Sequence, residues 1–206
     1  KFDIASLGII LAGCLIFGVG IFDDIARLKP YTKLLSQIII ASLLVHFGIK
    51  INVIPYPIIS IPLTILWIVA IVNSFNLLDN MDGLSGGIGA IVGIILFIYS
   101  LLNGNLEVGL PALILAGSLL GFLRYNFNPA RIFMGDSGSM FIGFMLGAIT
   151  LQGTWRESTQ LVMVLFIPLL ILAVPIFDTI FVTLMRSINS RKVFQGGKDH
   201  ISHRMK

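Results

Sequence analysis

The stretch Ile4 to Phe22, IASLGIILAGCLIFGVGIF, runs nineteen residues without a charge, then meets two adjacent carboxylates, Asp23-Asp24, with Arg27 and Lys29 close behind. A helix needs about 17 to 25 predominantly apolar residues to cross a hydrocarbon core. The segment therefore reads as a membrane span that delivers an acidic pair to the bilayer boundary. Six further apolar runs follow, at Leu34 to Gly48, Ser60 to Leu78, Gly87 to Leu102, Val108 to Leu123, Met140 to Leu151 and Leu161 to Met185. The sixth is short; Gly138 to Gln152 is its fairer extent if its polar start dips into the membrane. Pro168 and Pro175 should bend the seventh, since each removes a backbone donor. The expected fold is all-α, a polytopic membrane helix bundle of about seven transmembrane helices forming one integral membrane domain.

Composition agrees. Of 206 residues, 56% are hydrophobic and only 12% charged, and the mean hydropathy is +0.98, which excludes an ordinary water-soluble globule. The one cysteine, Cys14, lies inside an apolar run and allows no disulfide framework. The net charge of +4 comes with no basic helix face interleaved with aromatics, so no nucleic-acid partner is expected. The chain opens on Lys1 and stops after a basic stretch, and the expectation is a fragment.

If the spans alternate, the segments 23–33, 73–86, 124–138 and 186–206 share one side. That side carries eleven Lys and Arg, and the other side three, Lys1, Lys50 and Arg156. The positive-inside rule makes the first side cytoplasmic. Asp23, Asp24, Asp79, Asp82, Asp136, Asp199, His200 and His203 fall on it too. A polar site gathered from four loops at one face suits a membrane enzyme that uses a soluble substrate.

Four motifs carry the chemistry. Adjacent carboxylates at Asp23-Asp24 repel, and near a membrane they need a metal, a cation or a proton; an ion pair with Arg27 one turn on is the plainer alternative. In Asn73-Ser74-Phe75-Asn76-Leu77-Leu78-Asp79-Asn80-Met81-Asp82-Gly83, Asn73, Asn76 and Asp79 recur every third residue, which forms a polar stripe on one helix face ending in a turn. In Phe133-Met134-Gly135-Asp136-Ser137-Gly138-Ser139, glycines permit close approach around Asp136, and serine hydroxyls stand beside exposed amides, a design for a metal-bound phosphate. Asp136 as the N-cap of the next helix competes with that reading. In Arg191-Lys192-Val193-Phe194-Gln195-Gly196-Gly197-Lys198-Asp199-His200-Ile201-Ser202-His203-Arg204, cations, glycines and two histidines suggest phosphate binding, against a basic tail on anionic lipid. Asp178 either lines the site or pairs with a neighbouring helix.

Taken together, these blocks resemble the polyprenyl-phosphate N-acetylhexosamine-1-phosphate transferase family, in its order and along nearly the whole chain. The resemblance implies Mg²⁺, replaceable by Mn²⁺, on Asp136 with Asn76 close to the metal. It implies that Phe133 stacks on uracil, that Asp79 and Asp82 hold a UDP-sugar, and that Asp23 and Asp24 face a polyprenyl phosphate lipid. Arg191, His200 and His203 would contact pyrophosphate or sugar. Asp23, Asp24 and Asp136 are thus the expected catalytic residues. Ser202 stands between His200 and His203 where the peptidoglycan branch has a histidine run, so the last loop is more similar to the N-acetylglucosamine-phosphate branch.

The implied activity is transfer of N-acetylglucosamine 1-phosphate to polyprenyl phosphate with release of UMP, at the cytoplasmic face of a bacterial inner membrane, initiating a cell-envelope glycan. The muramyl-pentapeptide donor is the alternative within the family, and a homodimer is left open. A CDP-alcohol phosphotransferase would need Ala-Arg after Asp82-Gly83, where Leu84-Ser85 stands. An intramembrane serine protease would need a histidine at the depth of Ser137, and His46 lies toward the opposite face. A transporter would need polar residues at mid-membrane, whereas these cluster at one end.

Overall fold

The computed structural model describes residues 4–52, 54–154 and 177. Among them the chain forms six α-helices: α1 (Ile4–Ala26), α2 (Pro30–His46), α3 (Pro57–Leu78), α4 (Leu84–Leu102), α5 (Leu106–Asn126) and α6 (Gly135–Thr154). These correspond to the first six expected spans, and the bundle is all-helical. The seventh expected span, Leu161 to Met185, lies outside the described residues except for Phe177. Four helices, α1, α3, α4 and α5, are long and apolar enough to cross a membrane. By contrast, α2 has 17 residues, and α6 opens on the polar run Gly135 to Ser139.

The helices overrun the hydropathy limits at the ends that matter for function. Pro30 and Pro57 start α2 and α3, as expected where the first amides have no intrahelical partner to lose. Helix α2 begins four residues before the apolar run Leu34 to Gly48 and so takes Lys33 into its first turn. Similarly, α1 continues past Phe22 to Ala26, which puts Asp23 and Asp24 on helical backbone.

Two apolar cores share their central helices. Ile9, Ala12 and Ile16 of α1, Ile40, Ala41 and Leu44 of α2, and Ile68 and Val72 of α3 pack against Met140, Phe144 and Ala148 of α6. Ile71 and Phe75 of α3 turn the other way, with Ile142, Leu146 and Ile149 of α6, onto Ala90, Val92 and Leu96 of α4 and Ala112, Leu115 and Leu119 of α5. Thus α3 and α6 form the middle of the bundle, α1 and α2 one flank, and the α4–α5 hairpin the other. Outward faces carry exposed Leu7, Ile10, Leu11, Ile91, Ile95, Leu110 and Ile114, surface suited to lipid.

Without a hydrophobic drive between helices in lipid, close backbone approach has to supply the packing. At Gly143 of α6 a Cβ would stand 2.8 Å from Val72 Cα and 2.9 Å from the Ile71 carbonyl of α3. Gly143→Ala is expected to cost about 1–3 kcal/mol through overpacking, read as a lower melting temperature in detergent. At Gly117 of α5 an added Cβ meets nothing within 4 Å. Gly117→Ala is therefore expected to leave stability unchanged or slightly raised.

Candidate active site

The ends of α1, α3 and α5 and the starts of α2, α4 and α6 meet at one end of the bundle, and the acidic motifs meet there as well. Asp23, on the last turn of α1, is buried at 6% exposure. Its Oδ1 accepts the Leu28 amide at 2.7 Å, turning the chain toward α2. Its Oδ2 pairs with Lys33 Nζ at 2.8 Å. The same ammonium pairs with Asp136 Oδ1 of α6 at 2.8 Å and donates to Asn76 Oδ1 of α3 at 3.1 Å. Asn76 Nδ2 in turn donates to Asp136 Oδ1 and, at 3.0 Å, to Ser139 Oγ. One cation from α2 thus gathers oxygens from three other helices.

Asp24 serves a different end. Its Oδ1 accepts the Asp136 amide at 2.8 Å and its Oδ2 the Ser137 amide at 3.1 Å. A carboxylate at a helix N-terminus satisfies orphan N–H groups and meets the positive end of the helix dipole. Helix α6 is therefore capped from α1, across the bundle, and Asp136 lies in its first turn rather than capping it. The approach needs Gly20, where a Cβ would fall 2.3 Å from Ser137 Cα. These two amides, which the sequence pattern left open to a phosphate, are already engaged by Asp24.

Asp79 follows the end of α3 at Leu78. Its carboxyl is pushed up to about 7, first by burial and then by the charges of Asp136 and Asp24, against a hydrogen bond from the Gly135 amide. Asp82 holds the neighbouring loop: its Oδ2 accepts from Asn128 Nδ2 at 3.2 Å and from the Ala130 amide at 3.1 Å. Asn126 closes the same seam, taking the Gly83 amide on Oδ1 at 3.0 Å and giving Nδ2 to the Ile132 carbonyl at 2.8 Å. Beyond this seam Phe133 stands 78% exposed, its ring free for a planar partner.

A sequence model of one family, described as glycosyl transferase family 4, matches residues 6–154. The chain belongs to that family. Among family 4 relatives, the probable undecaprenyl-phosphate N-acetylglucosaminyl 1-phosphate transferase of Bacillus subtilis is 38% identical over 200 residues, covering 93% of this chain and 55% of its own length. The decaprenyl-phosphate N-acetylglucosaminephosphotransferase of Mycobacterium leprae is 36% identical over 225 residues, 96% of this chain and 56% of its own. A phospho-N-acetylmuramoyl-pentapeptide-transferase of Clostridium botulinum is 35% identical over 164 residues, but covers only 69% of this chain and 50% of its own length. The chain spans about half the length of the curated relatives it matches.

Of the residues expected from the family resemblance, Asp23, Asn76 and Asp136 meet around Lys33, with Asp24 and Asp79 beside them. Asp82 and Phe133 lie at the adjoining seam. Arg191, His200 and His203 are outside the described residues. Asn73 and Asn76 do share a helix face, as their spacing predicted, and the alternative pairing of the acidic pair with Arg27 gives way to Lys33. Sequence reasoning counted Lys33 only as a cytoplasmic cation. The signal was that the residues at helical spacing from it, Lys29, Pro30, Ser36 and Gln37, include no acid, so its counter-charge had to come from another segment.

Lys33→Met leaves the buried Asp23 carboxylate without its counter-charge and is expected to lower stability by about 3 kcal/mol, with part recovered in the Lys33→Met/Asp23→Asn double variant. For Asp79 the folded state favours the protonated carboxyl, so its contribution is present below about pH 4 and is lost as pH rises toward 7. In metal-free protein, the gain in melting temperature from Asp79→Asn is expected to grow from pH 4 to 7 and level off above. A gain independent of pH would contradict the raised carboxyl.

Proposed function

We propose that this chain is the catalytic portion of a membrane enzyme that transfers N-acetylglucosamine 1-phosphate from UDP-N-acetylglucosamine to a polyprenyl phosphate, releasing UMP. The observation that carries the reading is the convergence of Asp136 Oδ1, Asn76 Oδ1 and Asp23 Oδ2 within 2.8–3.1 Å of one cationic nitrogen. Family membership and the activities for which the relatives are named supply the reaction class. The relatives named for N-acetylglucosamine phosphate match more of the chain than the muramyl-pentapeptide type, which supports the smaller donor.

The donor set suits Mg²⁺. This ion takes hard oxygen ligands, with one or two protein carboxylates and the remainder from waters and substrate phosphates. Asp136 and Asn76 would hold the ion, and when bound it would offset pyrophosphate charge.

The protein's own share is alignment and charge. A lipid phosphate oxygen attacks the sugar-linked phosphorus, and the bond from that phosphorus to the oxygen of UMP breaks. A phosphate monoester's second pKa is about 6, so the acceptor is largely dianionic at neutral pH and needs no strong base. Asp23 accordingly acts by holding Lys33 beside Asp136 and Asn76, and Asp24 by fixing the start of α6. Phe133 offers its ring to uracil, and Asp79 and Asp82 border the nucleotide-sugar side. Arg191, His200 and His203 are assigned to pyrophosphate or sugar on the motif alone. The charge asymmetry of the loops supports a cytoplasmic site, and the product would begin a cell-envelope glycan.

Full-length protein supplied with UDP-N-acetylglucosamine, undecaprenyl phosphate and Mg²⁺ is expected to release UMP, and Asp136→Ala to lower the rate at least about 100-fold while still inserting. UMP release only from another donor would overturn the sugar assignment. Release from no donor would overturn the class.

A further inference from the structure

One turn deeper than the ammonium centre lies a second polar contact that the reaction above does not use. Gln37 of α2 is 1% exposed. Its Oε1 accepts from Asn73 Nδ2 of α3 at 2.6 Å, and Asn73 Nδ2 also reaches its own helix at the Val69 carbonyl, 2.8 Å away. Among the described residues, Gln37 Nε2 is buried and has no hydrogen-bond partner. Gln37 follows Lys33 by four residues and Asn73 precedes Asn76 by three, so each amide shares a helix face with a member of the centre.

We infer that Gln37 is a positioning residue: its bond to Asn73 sets the register of α2 against α3, and so places Lys33 opposite Asn76 and Asp136. The inference rests on the transferase reading for its kinetic part. Two chemical facts support it. A hydrogen bond between two side-chain amides adds a directional constraint on depth and rotation to the apolar packing of two helices. Lysine has a long, flexible stem, so fixing its Cα through α2 lowers the freedom its nitrogen must give up to meet three oxygens at 2.8–3.1 Å.

Among the described residues Gln37 Nε2 adds no bond of its own to the packing of α2 against α3. A buried donor left unmade is a penalty, and an apolar side chain of similar size would fill the same space without it. The arrangement makes sense where the amide acts on the centre one turn away, a local conflict of the kind expected beside a functional site.

Gln37→Leu and Gln37→Met both keep the volume and remove the bond to Asn73. Each is expected to lower kcat about tenfold or more, the effect of a small misplacement of a charged group, with KM for UDP-N-acetylglucosamine unchanged. Wild-type kcat in either variant, or a raised KM with kcat intact, would overturn the inference. A measurement independent of turnover accompanies it: the non-additivity of Lys33→Met and Asp136→Asn in melting temperature. In a Gln37→Leu background that coupling is expected to fall by half or more. Unchanged coupling overturns the positioning role whatever the donor; wild-type protein that turns over no donor overturns the transferase reading alone.

Discussion

A charge at the edge of a bilayer has to be answered, and Lys33 is answered three times, by the carboxylates of Asp23 and Asp136 and by the amide oxygen of Asn76. Each partner comes from a different helix, so satisfying one ammonium brings together α1, α2, α3 and α6. The apolar cores give these helices surfaces to pack, but Leu, Ile and Phe on lipid-facing and buried faces differ little in what they demand of depth. The ionic centre is more exacting, because an oxygen displaced by 1 Å is no longer bonded. Rotation and depth of the helices around the site are thereby tied to a contact made at one membrane boundary.

The hydropathy pattern was sufficient for the architecture in outline. Six apolar runs correspond to the six described helices, and alternation placed the acidic motifs at one end, where the structure has them. Limits were missed where polar residues extend a helix: Lys33 on α2, Asp23 and Asp24 on α1, and Asp136 on α6. Hydropathy ends a span at the first charge, whereas the backbone hydrogen-bond ladder continues until something stops it. Asn73 and Asn76 were recoverable from their spacing because both lie on one helix, where period and face are the same information.

Contacts between distant segments were not recoverable in that way. Lys33 and Asp136 are 103 residues apart, and Asp24 meets an amide 112 residues away. No local period relates such positions. For Asp24 the motif suggested a group directed at a ligand; the structure gives both of its oxygens to backbone donors of α6. For Asp82, likewise, the described contacts are with the Asn128–Ala130 segment that leads to Phe133. Residues that are equivalent in type, all aspartates at the same face, thus divide into two that pair with a cation, one that caps a helix, one whose carboxyl is pushed up by burial and one that laces loops.

The cap supplied by Asp24 has a bearing on how chains of this kind can change over time. An ordinary cap travels with its helix, so a helix and its first turn can be exchanged between related proteins as a piece. Here α6 is finished by a residue of α1, and the fit depends on the bare backbone of Gly20. A recombination that brings in a foreign α6 without the matching end of α1 would introduce a helix with open amides beside Asp136. The two segments, separated by more than a hundred residues, fit as a matched pair.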